Sequence, residues 1–222
     1  MKLQAIFSLF ALAFGLTAST ANDKSADPKA ADGWTSLFDG KSLDGWKAND
    51  EDKDGKVFSV SNGELVVKGG RAHLFYMGSD GKASFKNFEF RAKVLTKKNA
   101  NSGLYFHTEY QATGWPKKGY EAQVNNSFDK DPRKTGSLYA VKDVLEKAAQ
   151  DDQWFDYLIK VEGKKVAISI NGKCLVEYEE KAGDKRAPDM DGRWLKSGTF
   201  AIQAHDPGCE VHYKDIAVKP LP

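Results

Sequence analysis

The 222-residue sequence predicts an all-β sandwich of two antiparallel sheets, and three observations carry that reading. Apolar and charged residues alternate strictly in several runs, clusters of Gly, Asn and Asp separate those runs at short intervals, and aromatics reach 12% of the chain. Alternation is the period of a half-buried strand, and aromatic side chains fit its pleated surface. A sandwich of about 200 residues commonly forms one domain, so one is expected here. The 41% hydrophobic content is enough to fill its core.

Taken in chain order, the first residues read as an address. Lys2 precedes an apolar run from Leu3 to Leu16, too short to cross a bilayer as a helix in a mature protein. Ser19-Thr20-Ala21 then offers a signal-peptidase site, so residues 1–21 are read as a signal peptide cleaved after Ala21. Residues 22–32 are polar and form a linker, which leaves 33–222 as the domain. The mature protein is therefore expected in the periplasm or the medium, with no membrane anchor.

Strands are expected from Phe88 to Leu95, Tyr157 to Glu162, Val166 to Ile170 and Glu210 to Val218. Another, from Lys173 to Tyr178, follows the turn signal Asn171-Gly172. Further strand-like runs lie near Val57, Leu65, Leu74, Leu104, Tyr120, Leu138 and Phe200. Only Val141 to Ala149 reads as a helix. An oxidising compartment permits a bridge between Cys174 and Cys209, but spacing does not show that they come close enough, and two buried free thiols are the expectation. A net charge of +2, from 33 basic and 31 acidic residues, supplies no field for nucleic acid or anionic lipid. Both are excluded as primary partners.

Three strand-like runs carry an unusual outer face. In Gly103 to Glu109, Leu104 and Phe106 oppose Tyr105, His107 and Glu109. In Gly119 to Asn125, Tyr120, Ala122 and Val124 oppose Glu121, Gln123 and Asn125. In Thr199 to His205, Phe200, Ile202 and Ala204 oppose Gln203 and His205. Period-2 geometry fixes these assignments wherever no bulge intervenes. An ordinary outer face carries Lys, Glu and Thr; these carry groups for directional hydrogen bonding and proton transfer. On neighbouring strands they would form one polar floor. Around it lie Trp115 in a turn-rich loop, a candidate to stack on a sugar, and Arg71 and His73 at the start of the Leu74 strand.

Five motifs occur in order: Leu37-Phe-Asp-Gly-Lys-Ser-Leu-Asp-Gly-Trp46, Asn101-Ser-Gly-Leu-Tyr-Phe-His107, Gly119-Tyr-Glu-Ala-Gln123, Thr135-Gly-Ser-Leu-Tyr139 and Ile202-Gln-Ala-His205. Together they resemble the 3-keto-disaccharide hydrolase domain, also called the 3-keto-glucoside 1,2-lyase/3-keto-2-hydroxy-glucal hydratase domain. The resemblance runs from Trp34 to Pro222 and implies a concanavalin A-like jelly roll acting on carbohydrate. Relatives of that fold hydrolyse unmodified glucans with carboxylates spaced along one strand, whereas here Glu121 is followed by Gln123, an amide that neither ionises nor attacks.

The 3-keto chemistry that the resemblance implies asks for different groups. A ketone at C3 acidifies the C2 proton, so a base removes it, the C1 substituent leaves, and water adds to the resulting glucal. Such a site needs a base, a group for the enolate oxygen and an acid for the leaving group. Glu121, His107 and His205 are the candidates for these roles, or for holding a divalent metal, although their spacing matches no recognised metal motif. Gln123, Gln203, Tyr105, Tyr139, Asn101, Trp115, His73 and Arg71 are the substrate-binding candidates. The alternative is a lectin-like module that binds glycan on the same face without catalysis.

Overall fold

The computed structural model describes residues 32–222. The expected signal peptide, and all of the linker but Asp32, lie outside the described residues. Thirteen strands form two antiparallel sheets, and no helix occurs among the described residues. In chain order they are β1 (Thr35–Ser36), β2 (Trp46–Ala48), β3 (Phe58–Ser61), β4 (Glu64–Lys68), β5 (Ala72–Tyr76) and β6 (Phe88–Thr96). Then come β7 (Ser102–Thr108), β8 (Tyr120–Val124), β9 (Phe155–Glu162) and β10 (Lys165–Ile170). The last three are β11 (Lys173–Glu179), β12 (Thr199–Ala204) and β13 (Glu210–Pro220).

The larger sheet runs β11-β10-β9-β6-β13-β4-β3, with β1 paired to the end of β13. The smaller runs β2-β5-β12-β7-β8. Only the hairpins β3–β4, β7–β8 and β9–β10–β11 stay within a sheet; the intervening connections cross between sheets, as in a jelly roll.

Alternation decides which side chains meet in the middle. Phe88, Phe90 and Val94 of β6, with Ile159 of β9 and Tyr213 of β13, face Leu104 and Phe106 of β7, Tyr120 of β8 and Phe200 of β12. Phe200 sits at the centre of this layer. Its ring centre lies 4.9, 4.9 and 4.7 Å from those of Phe85, Phe88 and Phe90. The smaller sheet departs from a simple half-buried pattern, because β7, β8 and β12 are buried at every position. Its second face is roofed by the loops before β8, after β8 and before β12, and those loops enclose the site described below.

Three local expectations are corrected. Val141 to Ala149 is irregular rather than helical, because its polar groups are taken by other partners. Ala140 has φ +57°, its N–H bonds Asp143 Oδ1, the Val144 N–H bonds Ser137 Oγ, and the Val144 carbonyl accepts from the Lys134 N–H. Leu138 makes isolated bridges to Ala122 and Lys142 rather than a strand. Both cysteines are free, as expected, but Cys174 is exposed and only Cys209 is buried, its thiol donating to the Asn101 carbonyl.

Replacing Phe200 by Ala removes the ring at the centre of the inter-sheet layer. It should lower the unfolding free energy by about 3–5 kcal/mol. Urea unfolding checks this, with a lower midpoint at an unchanged slope.

Candidate active site

The second face of the smaller sheet is built from alternate residues of four neighbouring strands. Phe75, Ala201, Tyr105 and Glu121 stand in one cross-strand row. The next row pairs His73 with Gln203, and Gly103 with Gln123. Cross-strand neighbours on one face lie within side-chain reach, so these groups must interact.

Glu121 is the centre of the face and is 4% exposed. Tyr105 donates its hydroxyl to Oε2 at 2.8 Å, Gln203 donates Nε2–H to Oε1 at 3.0 Å, and Arg193 Nη2 lies 3.4 Å from Oε2. Gln203 Nε2 also donates to the Tyr105 hydroxyl oxygen at 3.0 Å. An ionised carboxylate accepts only, so these bonds fix which end of the Gln203 amide faces it. Burial, then the Glu121 carboxylate, push the Tyr105 hydroxyl well above its ordinary value, so it stays a donor. The carboxylate lies over Gly103, where any Cβ would overlap Glu121 Oε1.

A cavity of about 280 Å³ opens above this row. Glu121, Gln123, Gln203, Tyr105, Tyr139, Asn101, Trp115 and His205 all line it. Several buried polar atoms of that lining have no partner: Asn101 Oδ1, both amide atoms of Gln123, Gln203 Oε1 and Arg193 Nη1. Buried polar groups are ordinarily paired, so this set marks a place where a polar ligand supplies the missing bonds.

His205, at the end of β12, is half-buried, and its Nδ1 lies 3.0 Å from Asp206 Oδ2. Its ring lies against Trp115 at 5.3 Å and Phe128 at 5.7 Å. Trp115 is 41% exposed at the rim. Tyr139 donates its hydroxyl to Asp131 Oδ2 at 2.9 Å, and burial with that carboxylate pushes it up to about 12.

The remaining candidates lie off the cavity. His73 is fully buried against the edges of Tyr105 and Trp115, and burial pulls it down to about 3, so it is neutral. Arg71 binds Glu51 and covers Trp115 from outside, 5.3 Å from the ring centre. His107 is a correction to the expected grouping. The pairing of β7 with β12 skips it, since Thr108 faces Thr199 and Phe106 faces Phe200. It is the extra residue of a bulge, with φ +55°, so its ring turns away from the Tyr105 face. There Nε2 meets the Lys86 carbonyl, and Nδ1 accepts from the Lys196 N–H. Glu109, beyond it, is exposed and pairs with Lys118.

Sequence reasoning missed Arg193, Asp131, Asp189 and Met190, which line the cavity together with Pro116 and Lys117 of the Trp115 loop. They sit on loops, where no periodicity reports direction; the turn signals Asp131-Pro132 and Asp191-Gly192 mark the loops but not which side chains point inward. Arg193 is nonetheless firmly placed. Its carbonyl accepts from Arg186 Nε, and the Leu195 N–H donates to Glu180 Oε2. Gly192 approaches Lys117 so closely that a Cβ would overlap its carbonyl oxygen. Glu180 itself is buried and also accepts from Tyr120 and Lys164. Burial works against its charge, but the bonds from Lys164, the Leu195 N–H and Tyr120 outweigh burial and hold the carboxyl below its ordinary value. Among the described residues no group of three or more His, Cys, Asp or Glu side chains is arranged to hold a metal ion.

A carboxyl group depressed in the folded state stabilises above its unfolded value and loses that contribution as pH falls through its folded value. Glu180→Gln should therefore cost roughly 3 kcal/mol at neutral pH, by removing the buried carboxylate shared by Lys164 and Arg186 and leaving Arg186 only the longer contact with Asp184, and progressively less below about pH 4. Denaturant unfolding from pH 7 to pH 3 checks the narrowing gap between the two proteins.

A candidate glycosyl hydrolase from Parabacteroides distasonis superposes with a TM-score of 0.73 at 22% identity, covering 89% of this chain and 98% of that one. An endo-β-1,3(4)-glucanase superposes at 0.53 with 13% identity, covering 80% and 88%. These likenesses show the fold, a concanavalin A-like jelly roll. A 3-keto-disaccharide hydrolase of Bacteroides thetaiotaomicron is 29% identical over 83 residues, which span 36% of this chain and 29% of that protein. The model of the 3-keto-alpha-glucoside-1,2-lyase-like domain matches residues 33–219, and the chain belongs to that family.

Proposed function

We propose that this protein cleaves 3-keto-glycosides by elimination and hydration, with Glu121 as the base and His205 as the acid. The observation that carries the reading is one buried carboxylate facing a cavity lined with unpaired amide and guanidinium atoms. The position two residues along β8, where a second carboxylate would make a glycosidase pair, holds Gln123. A cavity of about 280 Å³ is at the small end of ligand sites, a size for one sugar ring and part of a second.

In this reading Glu121 takes the proton from C2, and the C–H electron pair passes into an enolate with charge on the C3 oxygen. That pair then returns to form C1=C2 as the C1–O bond breaks. The leaving oxygen takes the bond's electrons and a proton from His205. Asp206, 3.0 Å from Nδ1, orients that imidazole so that Nε2 serves the substrate. Water finally adds its hydroxyl to C1 and its proton to C2, giving net hydrolysis. Gln123 and Gln203 would orient the sugar hydroxyls, and Trp115 would cover one face of the ring.

The test is a panel of 3-keto-glycosides beside their unoxidised parents. The wild type should cleave the former and leave the parents intact. Glu121→Gln should lower turnover by about 10²–10⁴. Three donors converge on this carboxylate, so the amide should also cost about 1–3 kcal/mol of stability, and assays belong well below its melting temperature. Binding without turnover across the whole panel would instead identify a lectin-like module.

The apolar run from Leu3 to Leu16 and the Ser19-Thr20-Ala21 site support export as part of the same proposal. Protein recovered from the periplasm or medium of its host should have the intact mass of a chain beginning at Asn22. A cytoplasmic chain retaining Met1 to Ala21 would refute it.

A further inference from the structure

Arg193 is a buried cation of which one arm is engaged and the other is not. Its side chain is 5% exposed, Nη2 lies 3.4 Å from Glu121 Oε2, and the guanidinium carbon is 5.4 Å from the centre of the Tyr105 ring. Nη1 is buried without a partner. Leaving a buried donor of a charged group unpaired costs about 1–3 kcal/mol or more, so the site calls for an acceptor arriving from the cavity. Nη1 cannot itself accept, whereas Gln203 Oε1 and Asn101 Oδ1 cannot donate. The two amide oxygens suit hydroxyl groups; the guanidinium arm suits an oxygen that only accepts. A carboxylate substituent is disfavoured, because three carboxylates, Glu121, Asp131 and Asp189, line the cavity against two cations, Arg193 and Lys117.

The two arms of one guanidinium also match two adjacent carbons of a sugar. The arm on Glu121 marks where a proton is taken, and the free arm marks the oxygen one carbon away. As the C2–H bond breaks, Glu121 gains the proton and loses its charge, while the electron pair places charge on the C3 oxygen. A guanidinium facing both oxygens stays beside the negative charge throughout the transfer, with no rearrangement. The bonds from Arg186 to the Arg193 carbonyl and from the Leu195 N–H to Glu180 hold the main chain there in advance.

We propose that Arg193 binds the C3 keto oxygen through Nη1 and stabilises the enolate, and so selects a ketone over a hydroxyl at C3. This rests on the 3-keto reading above, and the experiment keeps the two apart. Wild type, Arg193→Lys and Arg193→Ala are assayed on a 3-keto-glycoside, and on a 3-keto sugar with hydrogen in place of the C1 substituent. The second compound cannot eliminate, so exchange of its C2 hydrogen in heavy water, followed by NMR, reports enolate formation alone. Both variants should lose about 10²–10³ in kcat and a similar factor in C2 exchange. Lysine fails because its donors all sit on one nitrogen, whereas the guanidinium fork places two separate nitrogens against Glu121 and the ketone. Added guanidinium ion should restore part of the exchange in Arg193→Ala, which a merely structural role would not allow. If Arg193→Ala does not fold, Arg193→Lys decides the matter. A folded variant with near wild-type exchange, or one changed only in KM, overturns the assignment while leaving the 3-keto reading in place. A wild type that neither cleaves nor exchanges any 3-keto sugar overturns both.

Discussion

The burial of the Glu121 carboxylate is the constraint around which the rest of the site is arranged. A carboxylate out of water must be met by donors, and here they come from three separate elements: Tyr105 on β7, Gln203 on β12 and Arg193 on the loop before β12. Each donor is turned inward by that obligation, and each then presents its remaining atoms outward. Gln203 shows its oxygen to the cavity because its nitrogen is committed. Arg193 shows Nη1 because Nη2 faces Glu121. The polarity of the cavity wall thus follows from satisfying one charge beneath it. Gly103 makes the arrangement sterically possible, since a methyl group would occupy the space of Glu121 Oε1.

The neighbouring residue does the reverse on the other side of the same strand. Tyr120 points into the core between the sheets, and its hydroxyl reaches the buried Glu180 at 2.7 Å. Glu180 in turn accepts from the main chain two residues beyond Arg193, and Arg186 holds the Arg193 carbonyl. One step along β8 therefore joins a structural ion cluster to the candidate catalytic one. The long loop before β12 is held by charge rather than by strand pairing, and it delivers its arginine with little freedom.

What could be read in advance follows from where periodicity applies. Tyr105, Glu121, Gln123 and Gln203 were placed on one face by alternation alone, because Leu104, Tyr120, Ala122 and Ile202 must enter a common core. His107 obeys the same spacing yet leaves the face, since a bulge inserts one residue against β12 and turns its ring toward Lys86. A left-handed conformation is commoner at Asn, Asp and His than at other non-glycine residues, but alternation alone does not mark His107 as adopting it. Arg193 and Asp131 were invisible for another reason: they lie in loops whose course is set by bonds to distant residues. The apparent helix from Val141 failed similarly, its backbone groups claimed by Ser137, Lys134 and Asp143. The motif Gly119-Tyr-Glu-Ala-Gln123 held both the base candidate and the amide beside it, so the family resemblance pointed to the centre of the site but not to its rim.

The sequence distances spanned by the Glu121 bonds bear on how the protein acquires its shape. The contact with Arg193 closes a separation of 72 residues, and that with Gln203 one of 82. Only the Tyr105 partner, 16 residues away across the β7–β8 hairpin, is local. Closing long loops before any reward is collected is entropically slow, so contacts of this kind belong to the late stages of assembly. A nascent or truncated chain that has made the hairpin still lacks two of the three groups that surround the carboxylate. Ligand affinity is consequently a property of the finished sandwich alone, and bound sugar would protect the completed fold against unfolding without rescuing any fragment of it.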